Sequence, residues 1–433
     1  MFNSLIISSP KRQKHLLSNS SEFFPYYAGF PESFATTIIE TSVLPRCGLV
    51  FDPWNGSGTT TSAAAKLGYN SCGIDLNPVM VLVARARNLN PSQASYIEPQ
   101  GKKLIRDLVR LKTSVPLDDP LLQWFTTDTA CALRNLERRI RLNVLDKGFK
   151  KSNIQLDKIS CFHATFYVAL FIVCRSLTKS FLSSNPTWLK VPGASESKIY
   201  VPTIEICAAF VGQLNSMAER LLYSVSKSNV AGCAQILLGN TTQLKYENFA
   251  DLVLTSPPYC TRIDYTAATR IELAIIDPLL DVTREILSKE MIGSVKVPTD
   301  LIEPQEAWGT TCKDFLSQLR AHDSKASGGY YYKTHLDYFN KMSKSIINIH
   351  ACLKKNANAI IVVQDSHYKD IHNDVPLMLT EMAQNSGLTL FRREDFFQRN
   401  SLSKINPKSK KYRTNAVAVE SVICFRKSSK DRI

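Results

Sequence analysis

A glycine-rich turn lies between an apolar strand and a helix near the start of the chain, and this pattern constrains the fold most strongly. The segment Cys47–Thr60, CGLVFDPWNGSGTT, predicts a strand that runs into the turn. The small-residue helix TTSAAAKLG follows and stops at Gly68. A second short strand, within YNSCGIDLNP, ends at Asp75. Such a β-turn-α-β series is the opening of a doubly wound α/β sheet.

Five later segments predict further strands of the same sheet. They are AQILLGN, which ends at Asn240, then DLVLTS, NAIIVVQDS, LTLFRREDF and AVESVICFRK. The amphipathic stretch VPLMLTEMAQNSG precedes the sixth strand and predicts a crossover helix that ends at Gly387. The sequence therefore predicts an α/β fold with seven strands.

Two long segments interrupt the strand series and divide the predicted core. We expect residues 1–90 to hold the first two strands, 91–229 a helical insertion, 230–265 the next two strands, 266–344 a second insertion, and 345–433 the rest of the core. In the first insertion, CFHATFYVALFIVCR (Cys161–Arg175) is too short to span a bilayer and predicts a buried helix. His163 in this helix is expected to be a satisfied core histidine.

The charge of the chain favours a polyanionic partner. Its 433 residues carry a formal net charge of +15, with a pI of about 9.2. Such a balance indicates nucleic acid before a membrane, and a merely soluble basic protein is the alternative. The loop Arg399–Arg413 carries six lysines and arginines and no acidic residue.

The cysteines indicate a reducing compartment. All eleven are scattered, many in apolar contexts, and none forms a C-x-x-C pair, which argues against a disulfide framework and against zinc. The opening MFNSLIISSPKRQKH has its apolar run before its charges, the reverse of a secretory signal. We therefore predict a cytoplasmic protein with no metal site and no membrane partner.

The glycine turn has the chemistry of a nucleotide-like site. Its glycines let the backbone approach a ligand, and two threonines open the helix at its positive end, which suits an anionic group. One aspartate at the end of the first strand is placed to meet an ammonium, and another at the tip of the second is placed for a ribose diol. An adenosine that carries an amino-acid zwitterion, S-adenosylmethionine, fits better than NAD, and a purely structural turn is the alternative. These residues are Asp52, Gly56, Gly58, Thr59, Thr60 and Asp75.

A pair of prolines ends the fourth predicted strand. In DLVLTSPPY the apolar run stops at Ser256, and neither Pro257 nor Pro258 has an N–H. The Pro257 carbonyl and the Ser256 hydroxyl are therefore acceptors, and Tyr259 adds a flat ring. Two acceptors and a ring suit the exocyclic amino group of a planar base, since hydrogen bonds from both N–H groups favour a pyramidal nitrogen with a free lone pair. A rigid loop at a strand end is the alternative.

Together these motifs resemble those of the amino-group DNA methyltransferases, which methylate N4 of cytosine or N6 of adenine. FDPWNGSGTT is similar to the cofactor motif D-P-F-x-G-x-G-T, with Trp54 in place of Phe. TSPPY resembles the catalytic motif of the cytosine-N4 branch, whereas the adenine branch more often has Asp or Asn at the Ser256 position. YYAGFPESF resembles the Phe-Pro motif of the family, and Gly239-Asn240 resembles its Gly-Asp, with Asn in place of Asp. The S-P-P-Y motif comes first in the commonest cytosine-N4 arrangement and last here, and circular permutation is frequent in the family.

The resemblance covers roughly residues 20–90, 230–265 and 345–430 and implies a Rossmann-like class I methyltransferase fold, a seven-stranded mostly parallel sheet with two insertions. The implied activity is methylation of cytosine N4 in duplex DNA by S-adenosylmethionine, in a restriction–modification or other defence system. Adenine-N6 methylation, RNA or small-amine methylation, and an inactive DNA-binding module remain alternatives. The implied catalytic residues are Ser256, Pro257, Pro258 and Tyr259. The implied cofactor residues are Phe30, Pro31, Asp52, Pro53, Trp54, Gly56, Gly58, Thr59, Thr60, Asp75, Asn240 and Thr255.

Double-stranded DNA is the expected partner, and a restriction or defence nuclease is a further candidate. Predicted DNA contacts are Arg262, beside the catalytic motif, and Lys408, Lys410 and Lys411 in the basic loop. The helical insertion is the candidate for target recognition, and the second insertion is the alternative. The arginines that suggest the helical insertion are Arg134, Arg138, Arg139 and Arg141.

Overall fold

A seven-stranded sheet forms the centre of the computed structural model. The described residues are 5–11, 24–25, 29–111, 113–145, 156, 159–183, 188–193, 196–223, 232–260, 264–296, 302–398 and 418–428. The strands are β1 (Leu49–Asp52), β2 (Asn70–Asp75), β3 (Ala234–Leu238), β4 (Ala250–Thr255), β5 (Leu353–Gln364), β6 (Ser366–Tyr368), β7 (Ile371–Asn373), β8 (Leu388–Gln398) and β9 (Ala418–Lys427).

The strand order in the sheet is β3-β2-β1-β4-β5-β9-β8, and β6 and β7 form a separate hairpin. The pairs among β1 to β5 are parallel, whereas β9 runs antiparallel to both β5 and β8. The order reverses at β1 and β4, so the carboxyl ends of these neighbouring strands flank the crevice where open α/β sheets bind ligands. The predicted seven-stranded, mostly parallel sheet is confirmed.

Alternate residues of the central strands are buried against opposite layers of helices. Val50 and Leu252 belong to the apolar cluster that includes the helix after Pro31, whereas Phe51 and Val253 pack on the other face. This alternation follows from the two-residue period of a strand, and burial on both faces explains the continuous apolar runs in the sequence. The sheet is therefore the middle of three layers and holds the strand ends rigidly.

Thirteen α-helices are present in the described part of the chain. The helices that flank the first two strands are α1 (Glu32–Thr41), α2 (Thr59–Lys66) and α3 (Pro78–Arg87). Those between β2 and β3 are α4 (Ala94–Ile105), α5 (Thr127–Leu145), α6 (Cys161–Leu177) and α7 (Thr203–Tyr223). Those after β4 are α8 (Tyr265–Ala268), α9 (Arg270–Ile276), α10 (Arg284–Glu290), α11 (Thr310–Ala321), α12 (Tyr332–Cys352) and α13 (Val375–Asn385).

Glycines end two helices as the sequence predicts. Gly68, with φ +83°, follows α2, and Gly387, with φ +99°, follows α13. The Tyr69 N–H bonds back to the Ala64 carbonyl across Gly68, which satisfies a carbonyl at the end of α2. A left-handed residue is needed for such a closure, and glycine adopts it without a Cβ clash.

The predicted buried helix is α6. Phe166 and Phe171 are fully buried in it, and His163 is 7% exposed with its Nδ1 2.7 Å from the Ser160 hydroxyl. His163 is thus a satisfied core histidine, as predicted. Within the described residues, no helix is long and apolar enough to cross a membrane.

Two details of the C-terminal part differ from the sequence prediction. Strand β5 begins at Leu353, five residues before the predicted Asn358. The hairpin β6–β7 was not predicted, because its short polar strands carry no apolar alternation. All eleven cysteines are free in the structure.

Candidate functional site

A cleft opens at the carboxyl ends of β1, β2 and β4 and encloses about 1070 Å³, including its open mouth. Both sequence motifs line it, although they lie about two hundred residues apart in the chain. The structure brings together twelve of the predicted site residues in its lining, which are Phe30, Asp52, Trp54, Gly56, Thr59, Thr60, Asp75, Asn240, Ser256, Pro257, Pro258 and Tyr259.

Asp52, the last residue of β1, is 4% exposed at the base of the cleft. Its Oδ1 accepts hydrogen bonds from the Thr255 hydroxyl at 2.5 Å and from the Trp54 N–H at 3.1 Å. Burial raises the pKa of this carboxyl from 3.8 to about 6, because the hydrogen bonds from Thr255, Thr60 and Trp54 offset only part of the cost of desolvation. The nearby Asp75 carboxylate raises that pKa further.

Asp75 ends β2 and clamps the glycine turn. Its Oδ2 accepts the Gly56 N–H and its Oδ1 accepts the Asn77 N–H, each at 2.8 Å. Burial raises the pKa of Asp75 to about 6, although both backbone hydrogen bonds lower it. Among the described residues, no lysine or arginine bonds Asp52 or Asp75, so this pair of carboxylates suits a cationic, hydroxyl-bearing ligand.

Gly58 serves the packing of helices and does not line the cleft. It has φ +81°, and a Cβ at this position would lie 2.9 Å from the Ala84 Cβ on α3. Glycine is therefore required for the close approach of α2 and α3. Three further predicted cofactor residues also lie behind the lining: Pro31 precedes α1, the Pro53 carbonyl accepts the Thr241 hydroxyl at 2.6 Å, and Thr255 holds Asp52.

The proline corner leaves β4 directly beside the glycine turn. The Tyr338 hydroxyl donates to the Pro258 carbonyl at 3.0 Å, and the Tyr259 N–H donates to the Tyr265 hydroxyl at 3.2 Å. No hydrogen bond between described residues uses the Pro257 carbonyl, and its role as an acceptor for a ligand stays a prediction. The corner is thus fixed from two sides while one acceptor stays available.

Tyr259 also bonds a buried carboxylate that sequence reasoning missed. Its hydroxyl donates to Glu420 Oε1 at 3.2 Å, and Glu420 is 6% exposed. Glu420 opposes Gln364 in the β5–β9 register, which places it at the same sheet edge as the corner. Burial and the Glu420 charge raise the pKa of the Tyr259 hydroxyl well above its usual value, so it stays protonated and remains a donor.

The second insertion closes the cleft opposite the sheet. Glu290, Met291 and Ile292 line the cleft, and the Asn240 side chain lies 3.4 Å from a Glu290 carboxylate oxygen. The Asn77 amide donates to the Thr269 hydroxyl at 3.0 Å and joins α3 to this insertion. These residues carried no recognisable motif, because their role depends on how a distant segment packs.

Three of the four arginines of α5 form hydrogen bonds within the protein. Arg134 donates two hydrogen bonds to Asp119, at 2.9 and 2.8 Å, and others to carbonyls of α9, and Arg139 donates to carbonyls at the end of α4. Arg141 pairs with the buried Glu137 at 3.0 Å, and Arg138 is exposed. Three of the four arginines are thus held by hydrogen bonds within the protein, and target recognition by this insertion stays a prediction. Arg262 and the three loop lysines lie outside the described residues.

Residues 6–85 match the model of the DNA methylase family N6_N4_Mtase. The type II methyltransferase M.AvaI of Nostoc sp. is 25% identical over 155 residues, which cover 33% of this chain and 32% of the relative. M.BsoBI of Geobacillus stearothermophilus is 23% identical over 300 residues, which cover 64% and 55%. Over these parts the chain is similar to amino-group DNA methyltransferases. The chain spans about a third to about half of the length of these relatives.

Solved methyltransferase structures show a weaker likeness. The rRNA methyltransferase aviRa of Streptomyces viridochromogenes is 11% identical with a TM-score of 0.32, and the match covers 97% of both chains. A Methanosarcina mazei S-adenosylmethionine-dependent methyltransferase is 8% identical with a TM-score of 0.31, over 90% and 98%. These likenesses add nothing to the observed sheet order. That order confirms the Rossmann-like class I fold. The match of residues 6–85 to a DNA methylase family supports S-adenosylmethionine as the cofactor.

Proposed function

We propose that the protein methylates the N4 amino group of cytosine in duplex DNA with S-adenosylmethionine. One observation carries the proposal: the glycine turn with its two aspartates and the Ser256–Tyr259 corner line a single cleft. The cofactor and the amino group must meet at atomic distance for transfer, and neighbouring strands β1 and β4 bring their two sites together.

The residues of the cleft fit the cofactor. The uncompensated pair Asp52 and Asp75 suits the ammonium and the ribose hydroxyls. The glycine turn and the start of α2 offer backbone N–H groups to the carboxylate. Trp54 and Asn240 lie beside the turn for the adenine end, and Glu290 of the second insertion stands next to Asn240.

The corner is proposed to activate the target amino group. When bound, S-adenosylmethionine would supply a sulfonium methyl carbon as the electrophile for the amino nitrogen, with its thioether as the leaving group. The Ser256 hydroxyl and the Pro257 carbonyl accept the two N–H groups, and Tyr259 stacks on the ring. The base is reached by flipping it out of the duplex, because the amino group is paired and stacked inside it. The alkylated nitrogen is acidic and loses its proton to water after the transfer, so no strong base is needed before the attack.

DNA is the proposed substrate, and the net charge of +15 supports it. Ser256 favours cytosine over adenine by the motif resemblance, and N6-methyladenine is the alternative product. For target recognition we favour the second insertion, because α8 begins at Tyr265 beside the corner, whereas Arg134, Arg139 and Arg141 of α5 are bonded within the protein. A nuclease partner in a defence system, and a cytoplasmic location, remain proposals with this activity.

A methylation assay with purified protein, labelled S-adenosylmethionine and unmethylated duplex DNA tests the function. Nucleoside analysis by mass spectrometry should find N4-methylcytosine, and competing RNA should leave the rate unchanged. Ser256→Ala should lower turnover by about 10²-fold or more, on the scale of losing one positioned transition-state hydrogen bond, while cofactor binding survives. Ser345→Ala, which removes a hydroxyl bonded to the Lys341 carbonyl in α12, is the matched control. N6-methyladenine alone would overturn the base assignment, and cofactor binding without turnover would support an inactive module.

A further inference from the structure

The hairpin β6–β7 carries a cluster of potential metal ligands outside the cofactor cleft. Asp365, His367 and His372 each offer a ligand atom, and these atoms all lie within 4.8 Å of one another. We propose that this cluster is a binding site for a first-row divalent cation of the zinc type. The proposal is independent of the methyltransferase function.

The backbone of the hairpin explains why the three side chains converge. His367 and His372 are direct partners in the antiparallel register, so their imidazoles stand on one face, with ring centroids 4.7 Å apart. Asp365 precedes His367 by two residues and therefore faces the same side. The pattern Asp-x-His-x₄-His contains no cysteine, and the sequence prediction of no metal rested on cysteine spacing alone.

The carboxylate of the cluster is fixed by a second layer of hydrogen bonds. Asp365 Oδ1 accepts the Val419 N–H at 2.8 Å, and the Asp365 N–H donates to the Val419 carbonyl at 2.9 Å. These bonds to β9 leave Oδ2 directed at His372, whose Nε2 is 3.0 Å away. Ligand carboxylates in metal sites are held in this manner, which fixes their orientation before the cation arrives.

The spacing of the atoms suits a small cation. Two ligands at about 2.0–2.1 Å from a tetrahedral zinc are about 3.3 Å apart, close to the Asp365–His372 distance. A rotation of the partly exposed His367 brings the third ligand into range. Asp365 is buried and the side chain of His372 is 50% exposed, so a cation reaches the site from solvent and keeps a position open for water. Two imidazoles and one carboxylate favour zinc or a neighbouring transition metal over calcium or magnesium.

The proposed cation would brace the wall of the catalytic corner. Ser366, inside the hairpin, donates to the Cys260 carbonyl at 3.2 Å, one residue after Tyr259. Asn373 donates to the Ser366 hydroxyl at 2.8 Å from the other strand. A cation that joins His367 to His372 would therefore hold both strands of the hairpin against the corner.

The proposal is tested by measuring zinc binding to the full-length protein after treatment with a chelator. The protein is dialysed to equilibrium against zinc chloride, and bound zinc is measured by elemental analysis. The wild type should bind one zinc ion. His367→Ala and His372→Ala should each lower the affinity for zinc by at least about tenfold. Cobalt(II) should give visible ligand-field bands without a thiolate charge-transfer band, which separates this site from binding by the cysteines. His322→Ala is the matched control. His322 follows α11 and pairs at 3.0 Å with Asp370, which lies in the turn of the same hairpin but outside the proposed cluster.

Equal zinc binding by the wild type and both histidine variants would overturn the site, as would zinc binding lost only after alkylation of the thiols. Asp365→Asn is a second variant that keeps the shape of the side chain, and circular dichroism reports whether each variant folds. Zinc stoichiometry is measured without cofactor or DNA. Failure of the metal site and failure of the methyltransferase function are therefore seen in separate experiments.

Discussion

Acidification from pH 7 to pH 5 should weaken the binding of S-adenosylmethionine. Burial raises the pKa of Asp52 and of Asp75 from 3.8 to about 6, and both carboxylates are proposed to bind the cofactor in their ionised forms. The cofactor amino group stays protonated in this range, since α-amino groups titrate near pH 7.7–8.0. The pH dependence of binding therefore reports mainly on the protein.

The expected magnitude follows from the ionised fraction. With a pKa of about 6, a carboxyl is about nine-tenths ionised at pH 7 and about one-tenth ionised at pH 5. Each carboxylate that binding requires therefore contributes a loss of about tenfold in affinity. Two required carboxylates give a loss of up to about 100-fold, reduced if protonation of one lowers the pKa of the other.

The shifted carboxyls Asp52 and Glu32 do not destabilise the fold in this pH range. The pKa of Asp52 is raised in the folded state, so protonation near pH 6 stabilises the fold and its contribution grows as the pH falls toward 3.8. Burial is the largest single effect on Glu32 and raises its pKa, but the charges and hydrogen bonds of Arg87 and Lys66 together outweigh it and lower the pKa to about 2. The stabilising contribution of Glu32 is therefore lost only below about pH 4.5. Neither change unfolds the protein between pH 5 and pH 7.

Isothermal titration calorimetry at constant ionic strength measures the profile. Asp52→Asn should make the profile shallower by about one factor of ten. Asp251→Asn is the control, because Asp251 pairs with Lys354 at the amino end of β4, away from the cleft at the carboxyl end. This variant should have the same pH profile as the wild type. A flat wild-type profile would refute the reasoning, and an Asp52→Asn profile as steep as that of the wild type would remove Asp52 from the account.

Three further changes have defined outcomes. Gly58→Ala should lower the free energy of unfolding, measured in urea, by about 1–3 kcal/mol, because it introduces backbone strain and a Cβ clash. Gly212→Ala is the control and should not destabilise the protein, because no atom lies within 4 Å of the added Cβ. Glu420→Gln should lower kcat more than cofactor affinity by loosening Tyr259, whereas Glu394→Gln on β8 should not; equal kcat values would remove this positioning role. Neutralising the three lysines of the basic loop should weaken binding to all duplexes alike and reduce the salt slope by roughly 0.9 per contact, and an unchanged slope would contradict phosphate contact.

The strands and the base of the cleft could be predicted because they depend on local pattern and on one rule of topology. Continuous apolar runs mark strands buried on both faces, and the residue after each run then lies at the carboxyl edge. Asp52, Asp75 and Ser256 were found in this way. The structure adds that Asp75 also holds the glycine turn through the Gly56 N–H.

Other features depend on which distant segments pack together, and no short pattern records that. Glu290 reaches the cleft from an insertion, and Glu420 reaches Tyr259 from the last strand. Arg134 carries a charge that suggests an exposed face, yet its guanidinium is bonded to Asp119 and to carbonyls of α9. The metal cluster arises from the register of a hairpin too short to show an apolar alternation.

The most direct test of the central claim is expression in a host without DNA methylation. The genome of that host is then sequenced for modified bases. We predict N4-methylcytosine at one recurring sequence in cells that express the wild type and its loss in cells that express Ser256→Ala at equal protein level. The Ser345→Ala control should methylate the genome as the wild type does. A genome without N4-methylcytosine, or one methylated equally by the Ser256→Ala protein, would contradict the account.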